Sequence, residues 1–472
     1  MKSLTNTILF TACAVIANDA AAMKVLFNIN GESEQATIAR SITNQGGQLI
    51  DCIEQINICQ ADFPTWQQAQ TANIQAIPDM TTFIQEPNEA AKDETYLVRE
   101  EHVEHAALLR DNDFFFDLQW GHTAVGATSA WDKGHRGQGT RIAVLDSGAF
   151  AYHRDLYTNI NHALSRSFVL IDDVLEPWNE TFNNYFHHGS HVAGIIAAAD
   201  NSFGIIGVAP EAELMILKVL SARTGIGSSF NTMAALVYAA DNGADIANLS
   251  LSNAWRKNGY VDIEGTPYDT SDDIRVDVDE LNIFKNMYSK AIQYARSKGM
   301  SVIAAAGNQG INSNFTDSFI SVPADLPGVI SVSATTPMLW AKDVENTYLD
   351  NRATYSNHGQ SSIHLAAPGG DFSSMHLPGG TDFCNVGILF GQYCFVFDAI
   401  FSTGGSGAWY WSSGTSMATP YATGVAALIL SAHTDDMSPA ELEQALRTHA
   451  DDLGRPGKDA YYGHGRVHAP KQ

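Results

Sequence analysis

Short apolar runs alternate with stretches of helical periodicity over most of this chain, and the alternation predicts a parallel sheet flanked by helices. Candidate strands cover residues 141–145, 213–220, 245–251, 300–306, 328–335 and 362–367. Helical patterns lie between and after them at 188–199, 229–242, 281–298 and 415–431. The expected class is therefore α/β, with a mainly parallel central sheet and helices on both faces. Ligands of such sheets bind beyond the carboxyl ends of the strands, so the residues that follow each run are the first place to look for chemistry.

Ahead of that region stands a second, smaller pattern. Residues 24–29 are apolar, 35–44 are helical in period, Gly46 and Gly47 break the chain, and 48–59 are extended. Another helical stretch and an apolar run at 77–84 complete a small α/β unit. Residues 86–110 are charged, the composition of an accessible connector or a protease-sensitive joint. The first 22 residues read as an export signal: Lys2, an apolar run from Ile8 to Ala17, and small residues from Ala20 to Ala22. That run is too short to span a bilayer. The expected layout is a signal at 1–22, an N-terminal unit with its connector at 23–110, and a main domain at 111–472.

Composition changes this picture little, but charge narrows it. A formal net charge of −25 repels phosphate backbones and anionic headgroups, which argues against nucleic acid and membrane surfaces as partners. Removing the signal takes Cys13 with it and leaves Cys52 with Cys59 and Cys384 with Cys394, two local pairs that suit an oxidising compartment. Four free buried thiols remain the alternative. Neither spacing is that of a zinc site.

Four places carry candidate chemistry. VLDSG sets Asp146 at the carboxyl end of the first strand of the main domain, where a carboxylate can orient an imidazole. HHGSHVAG places His188 and His191 on one helical face, with Gly189 permitting close backbone approach. No glutamate stands where a zinc protease needs one, so the imidazole of His188 is assigned to proton transfer and His191 to a structural role. VIAAAGNQG ends a strand at Asn308, whose amide can donate to an oxyanion. SSGTSMATP runs a turn into an apolar helix, with Ser416 in the first turn, where unpaired N–H groups and the positive dipole end favour developing negative charge. Each segment alone has an ordinary structural explanation as a turn or a cap.

Together, in the order Asp, His, Asn, Ser, these segments resemble the four signatures of the subtilisin-like serine proteases. The resemblance runs from about residue 113 to the end of the chain. It implies Asp146 as orienter, His188 as general base and then acid, Ser416 as nucleophile, and Asn308 with the Ser416 N–H as oxyanion hole. It also implies a secreted, monomeric endopeptidase acting on protein and peptide substrates, made as a precursor whose segment 23–110 is a propeptide that assists folding and then inhibits. GIGSSF and NLSLSN resemble the two backbone edges that receive an extended substrate, through Gly225, Gly227, Ser250, Leu251 and Ser252. The family usually has Gly-Gly where Ser252 and Asn253 stand, a departure beside the specificity pocket whose floor falls near Ser321. DNSFGIIGVAP resembles a calcium loop, with the Asn201 side chain and the carbonyls of Ala199, Phe203 and Ile205 as ligands, completed by Asp113 and Asp155. A processing protease of narrow specificity and an inactive secreted binding protein on the same scaffold are the competing readings. Two segments stay unassigned: the acidic 254–279, and 371–409, rich in glycine and aromatics and expected to border the cleft.

Overall fold

The computed structural model describes residues 23–30, 32–72, 74–84, 97–99, 112–169, 188–222, 225–257, 259–261, 274–275, 277–314, 319–405, 407–433 and 435–471. The export signal at 1–22 and most of the charged connector lie outside them. Contacts divide the chain into two compact units, the first ending at Asp79 and the second beginning at Met80.

The first unit is α/β as its pattern predicts. Strand β1 (Met23–Asn28) leads to helix α1 (Glu32–Asn44), then β2 (Gln48–Ile53), β3 (Ile58–Phe63), helix α2 (Trp66–Thr71) and β4 (Ile77–Pro78). The strands form an antiparallel sheet in the order β2-β3-β1-β4. Val25, Phe27, Ile42, Cys59 and Phe63 fill its core. Cys52 and Cys59 stand directly opposite each other across β2 and β3, and they form a disulfide.

The second unit opens with short strands β5 (Thr81–Phe83) and β6 (Leu97–Arg99), followed by helices α3 (Trp120–Val125) and α4 (Ala127–Trp131). Next come β7 (Arg141–Asp146), β8 (Arg166–Ser167), α5 (His188–Ala197), β9 (Glu213–Lys218), β10 (Ile226–Ser228), α6 (Ser229–Asp241) and β11 (Ile246–Leu249). Three short strands, β12 (Asn253–Arg256), β13 (Tyr260–Val261) and β14 (Ile274–Arg275), precede α7 (Val278–Ser297). After them the chain runs through β15 (Ser301–Ala305), β16 (Phe319–Val322), β17 (Val329–Thr336), β18 (Asn351–Arg352), β19 (Leu365–Pro368), β20 (Phe383–Val386), β21 (Leu389–Tyr393), β22 (Ile400–Thr403) and β23 (Ala408–Ser412). Helices α8 (Thr415–Ala432) and α9 (Pro439–His449) close it.

The main sheet has the order β18-β17-β15-β11-β7-β9-β8, with β19 also on β17, and only the β17–β18 pairing is antiparallel. Its central strands are apolar runs rather than alternating ones because both faces are covered: β11, β15 and β17 are buried along their whole lengths. Helices α5 and α8 pack together as one pair and α6 and α7 as another. All six strands and four helices expected from the periodicity are present in this domain.

Two local features differ from expectation. Within the charged stretch 86–110, Leu97–Arg99 forms a strand that pairs with Ala408–Tyr410, and Val98 is buried in the main core. A short apolar β-former inside a polar sequence is enough when a neighbouring strand offers an unpaired edge. In the acidic stretch, Asp277 caps α7: its carboxylate accepts from the Asp279 N–H at 2.8 Å, and the Asp277 N–H donates to the Glu280 carboxylate at 3.3 Å. Acidic residues there complement the positive end of a 20-residue helix.

Cys384 and Cys394 join β20 to the turn that follows β21. Intact mass without reductant is expected to fall short of the fully reduced chain by two hydrogens for each of the two disulfides. Cutting the 384–394 bridge by Cys384→Ser with Cys394→Ser should cost on the order of 2 to 3 kcal/mol in denaturant unfolding.

Candidate active site

Asp146, the last residue of β7, is fully buried at the carboxyl end of the central sheet. Burying a carboxylate is costly unless its oxygens accept hydrogen bonds. The Ser147 N–H donates to Oδ1 at 2.7 Å, and the His188 Nδ1–H reaches Oδ1 at 2.8 Å and Oδ2 at 3.0 Å. With its proton held on Nδ1 by the carboxylate, the ring carries its lone pair on Nε2, the tautomer a general base needs.

His188 is the first residue of α5, and the start of that helix is fixed from two sides. A Cβ on Gly189 would fall 1.9 Å from the Gly148 carbonyl oxygen, so glycine is what lets the helix begin against the turn after Asp146. The Gly189 N–H donates to Ser147 Oγ at 3.1 Å, tying the same two segments. On its other side β22 holds the helix through Ser402 Oγ to the His191 carbonyl at 2.8 Å and Thr403 Oγ1 to the Ser190 carbonyl at 2.7 Å. The unassigned segment 371–409 therefore supplies support behind α5.

His191 has the structural role expected of it. Its Nε2 faces the Tyr410 carbonyl at 3.2 Å, and burial, with the neighbouring His188, pulls its pKa down to about 3.

Ser416 is the second residue of α8, and its hydroxyl donates to the Ser250 carbonyl at 3.2 Å. A reciprocal bond runs back, from Ser250 Oγ to the Ser416 carbonyl at 2.8 Å. Pro420 explains why that carbonyl is available. Four residues on, it has no N–H to donate, so the helix ladder leaves the Ser416 oxygen for a side chain. The candidate nucleophile Ser416 is thereby coupled to the edge at 250–252.

Asn308 follows β15 and is partly exposed. Its Oδ1 accepts from the Thr415 N–H at 2.9 Å and from Thr415 Oγ1 at 2.8 Å. The oxygen end of the amide is thus committed to Thr415. Thr415 is a positioning residue that the motif contained without revealing its role; a threonine directly before the nucleophile was the available signal.

Substrate-edge residues are also brought together. Gly227 lies in β10, which pairs with β5, and Ser252 bridges to Phe83 on the opposite side of β5. Leu251 and Ser252 are buried. Ser321, on β16, donates to the Ala306 carbonyl at 3.0 Å beside a cavity of about 20 Å³ also lined by Asp325 and Asn357. Its strand pairs with β12 through Asn253 opposite Val322, which sets the family departure beside the strand expected to floor the pocket.

Of the candidate calcium ligands, Asp113 and Asp155 both meet the loop that holds Phe203 and Ile205. Asp113 Oδ1 accepts from the Phe203 N–H at 3.1 Å, and Asp155 Oδ2 accepts from the Ile205 N–H at 3.0 Å and the Trp409 indole at 2.8 Å. Asp155 Oδ1 is buried and has no hydrogen-bond partner, and burial pushes this carboxyl up to about 7. An oxygen of that kind fits a cation. Asn201 turns its amide nitrogen toward the Arg154 carbonyl at 3.2 Å, and Ala199 donates its N–H to the Asp155 carbonyl at 2.7 Å. Among the described residues no three His, Cys, Asp or Glu side chains converge, so a cation here would depend on backbone carbonyls. Trp409 is the contact that sequence reasoning missed.

Comparison with known proteins agrees with the geometry. A sequence profile described as the subtilase family matches residues 137–465. Subtilisin Savinase from Lederbergia lenta is 33% identical over 352 residues, covering 75% of this chain and 97% of that protein. Subtilisin E from Bacillus subtilis (strain 168) is 30% identical over 370 residues, covering 78% and 73%. Among solved structures, the epidermin leader peptide processing serine protease from Staphylococcus aureus superimposes with a TM-score of 0.70 at 21% identity, over 95% of this chain and 96% of that one.

The depressed pKa of His191 has a definite sign. Below about 6.5 the unfolded chain takes up a proton that the folded state refuses down to about 3, so this group's stability is complete above pH 6.5 and is lost as pH falls. Relative to His191→Gln, the wild type is expected to lose up to about 1.4 kcal/mol per pH unit between those limits. Parallel pH–stability curves for the two proteins would rule this out.

Proposed function

The chain belongs to the subtilase family of serine endopeptidases, and on that premise we propose that it is a secreted precursor cutting peptide bonds through an acyl-enzyme on Ser416. The reading rests above all on the His188 Nδ1 bond to the buried Asp146 carboxylate. Ser416 Oγ adds to the scissile carbonyl carbon and passes its proton to His188 Nε2. The oxyanion takes hydrogen bonds from the Asn308 NH2 and the Ser416 N–H, at the positive end of an 18-residue helix. His188 returns the proton to the leaving amine, and water then hydrolyses the ester by the same route. Secretion is supported by the signal-like residues 1–22, by two disulfides, and by the lack of any helix, among the described residues, long and apolar enough to cross a membrane.

Segment 23–110 is read as the source of a folding assistant and inhibitor, since its first part is a separate compact unit ahead of the catalytic residues. A narrow processing role is the second reading. It is favoured by Ser252, a buried side chain on the substrate edge where the family usually carries glycine, and by the likeness to a leader peptide processing protease.

Ser416→Ala should leave a folded precursor with turnover reduced on the order of 10^6. For Asn308→Ala the expected loss is roughly 10^2 to 10^3, falling on kcat rather than KM. Near-wild-type hydrolysis of a chromogenic peptide by purified Ser416→Ala protein would overturn the mechanism.

Calcium binding at Asp113, Asp155, Asn201 and the carbonyls of Ala199, Phe203 and Ile205 would serve stability, the ion supplying the charge that the buried Asp155 oxygen needs. A ligand held only by the native state raises its stability by mass action, about 2.7 kcal/mol at a hundredfold excess over Kd. The Tm in millimolar calcium should exceed that in chelator, and Asp155→Asn should abolish the difference. Equal melting temperatures for the wild type in both buffers would remove the site.

A further inference from the structure

Lys218, the last residue of β9, is fully buried and stands outside the four reacting positions. Taking an ammonium out of water is costly, so what it touches is informative. The register of β7 with β9 sets Lys218 directly opposite Asp146, and residues opposite each other on parallel strands project from the same face of the sheet. The Lys218 Nζ donates to the Ser147 carbonyl, in the turn that follows Asp146.

Ser147 is the junction of that turn. Its N–H donates to Asp146 Oδ1 at 2.7 Å, and its hydroxyl accepts from the Gly189 N–H at 3.1 Å, one residue beyond His188. The peptide unit before Ser147 is held from β9 as well, since the Asp146 carbonyl accepts from the Val219 N–H at 2.8 Å and the Leu220 N–H at 3.2 Å. Lys218 holds the unit after it. With the planar units on both sides fixed, the φ and ψ of Ser147 are set, and with them the direction of the hydroxyl that ties down the start of α5. Gly148, whose carbonyl oxygen packs against Gly189, follows the same unit.

We propose that Lys218 is a positioning residue for the Asp146–His188 pair, its ammonium fixing the Ser147 peptide and setting a positive charge beside the pair. The inference rests on the reading of His188 as general base. A hydrogen-bond donor without charge would supply only the first of these effects. A fixed cation near an imidazole also opposes its protonation, which keeps the base available at lower pH. Among the described residues, the other charged or titratable groups on the elements packed here are Asp146 on β7, His191 on α5, Arg166 on β8 and Tyr410 on β23, and all of them remain when Lys218 is replaced.

The test compares purified wild type with Lys218→Met, which keeps length and burial but removes donor and charge, on a chromogenic peptide over the pH range in which histidine titrates. A drop in kcat of roughly 10-fold to 100-fold is expected with KM within about twofold, because a displaced base weakens the chemical step rather than binding. The acidic limb of kcat/KM should also move to higher pH, and Lys218→Arg, which keeps the charge, should leave that limb where the wild type has it. An unchanged kcat, or a fall in kcat with the limb unmoved, would reduce Lys218 to packing. A second measurement needs no change at Lys218: in Ser416→Ala protein labelled with 15N-lysine, the Lys218 ammonium signal should be slow to exchange and should shift as the His188 ring titrates. A signal indifferent to that titration overturns the proposal even where Lys218→Met does not fold. Full activity in Ser416→Ala protein would instead overturn the protease reading on which the proposal stands.

Discussion

A carboxylate buried without exposure at the end of β7 is the constraint from which the site is built. Its buried oxygens need hydrogen-bond donors, and the two they receive are the N–H of the next residue and the imidazole of His188. Everything that places His188 is therefore part of meeting that demand. The turn after β7 must admit α5 closely, which Gly189 allows, and β22 must hold the helix from behind through Ser402 and Thr403. The carboxylate that holds the His188 ring is buried, and burial is a property of the whole sheet.

The nucleophile depends on a second coupling that is backbone chemistry. Pro420 deprives the first turn of α8 of one ladder bond, and Ser250 accepts the role of donor to the orphaned Ser416 carbonyl. Because Ser250 lies two residues from Ser252, the edge that pairs with β5 is fixed relative to Ser416. Binding register and chemistry thus share one short segment. Thr415 adds the third tie by holding the Asn308 amide with its oxygen turned inward.

Around this machinery the loops are held by polar contacts of high specificity. The loop from Ala199 to Ile205 sends N–H groups to Asp113 and Asp155, while Trp409 reaches Asp155 from β23. The same strand pairs with β22, which supports α5, and with β6. A change at the loop is accordingly connected to the histidine helix through one small antiparallel sheet.

Sequence alone determined the alternation of strands and helices, because strands buried on both faces leave continuous apolar runs and the helices leave a different period. It also singled out four candidate positions, since Asp146, Asn308 and Ser416 stand where a strand or turn ends, and His188 follows a pair of local cues. Local pairing made both disulfides legible. What periodicity could not reach were contacts between segments far apart in the chain: Ser250 with Ser416, Thr415 with Asn308, Trp409 with Asp155, and Phe83 with Ser252. Strands of two to five residues, such as β6, β22 and β23, carry too few positions for a period to show, and they form only because a partner edge is present. Motifs named the candidate groups; tertiary structure decided their hydrogen-bond partners and the register of the strand laid beside them, because those are set by which distant backbone edges meet.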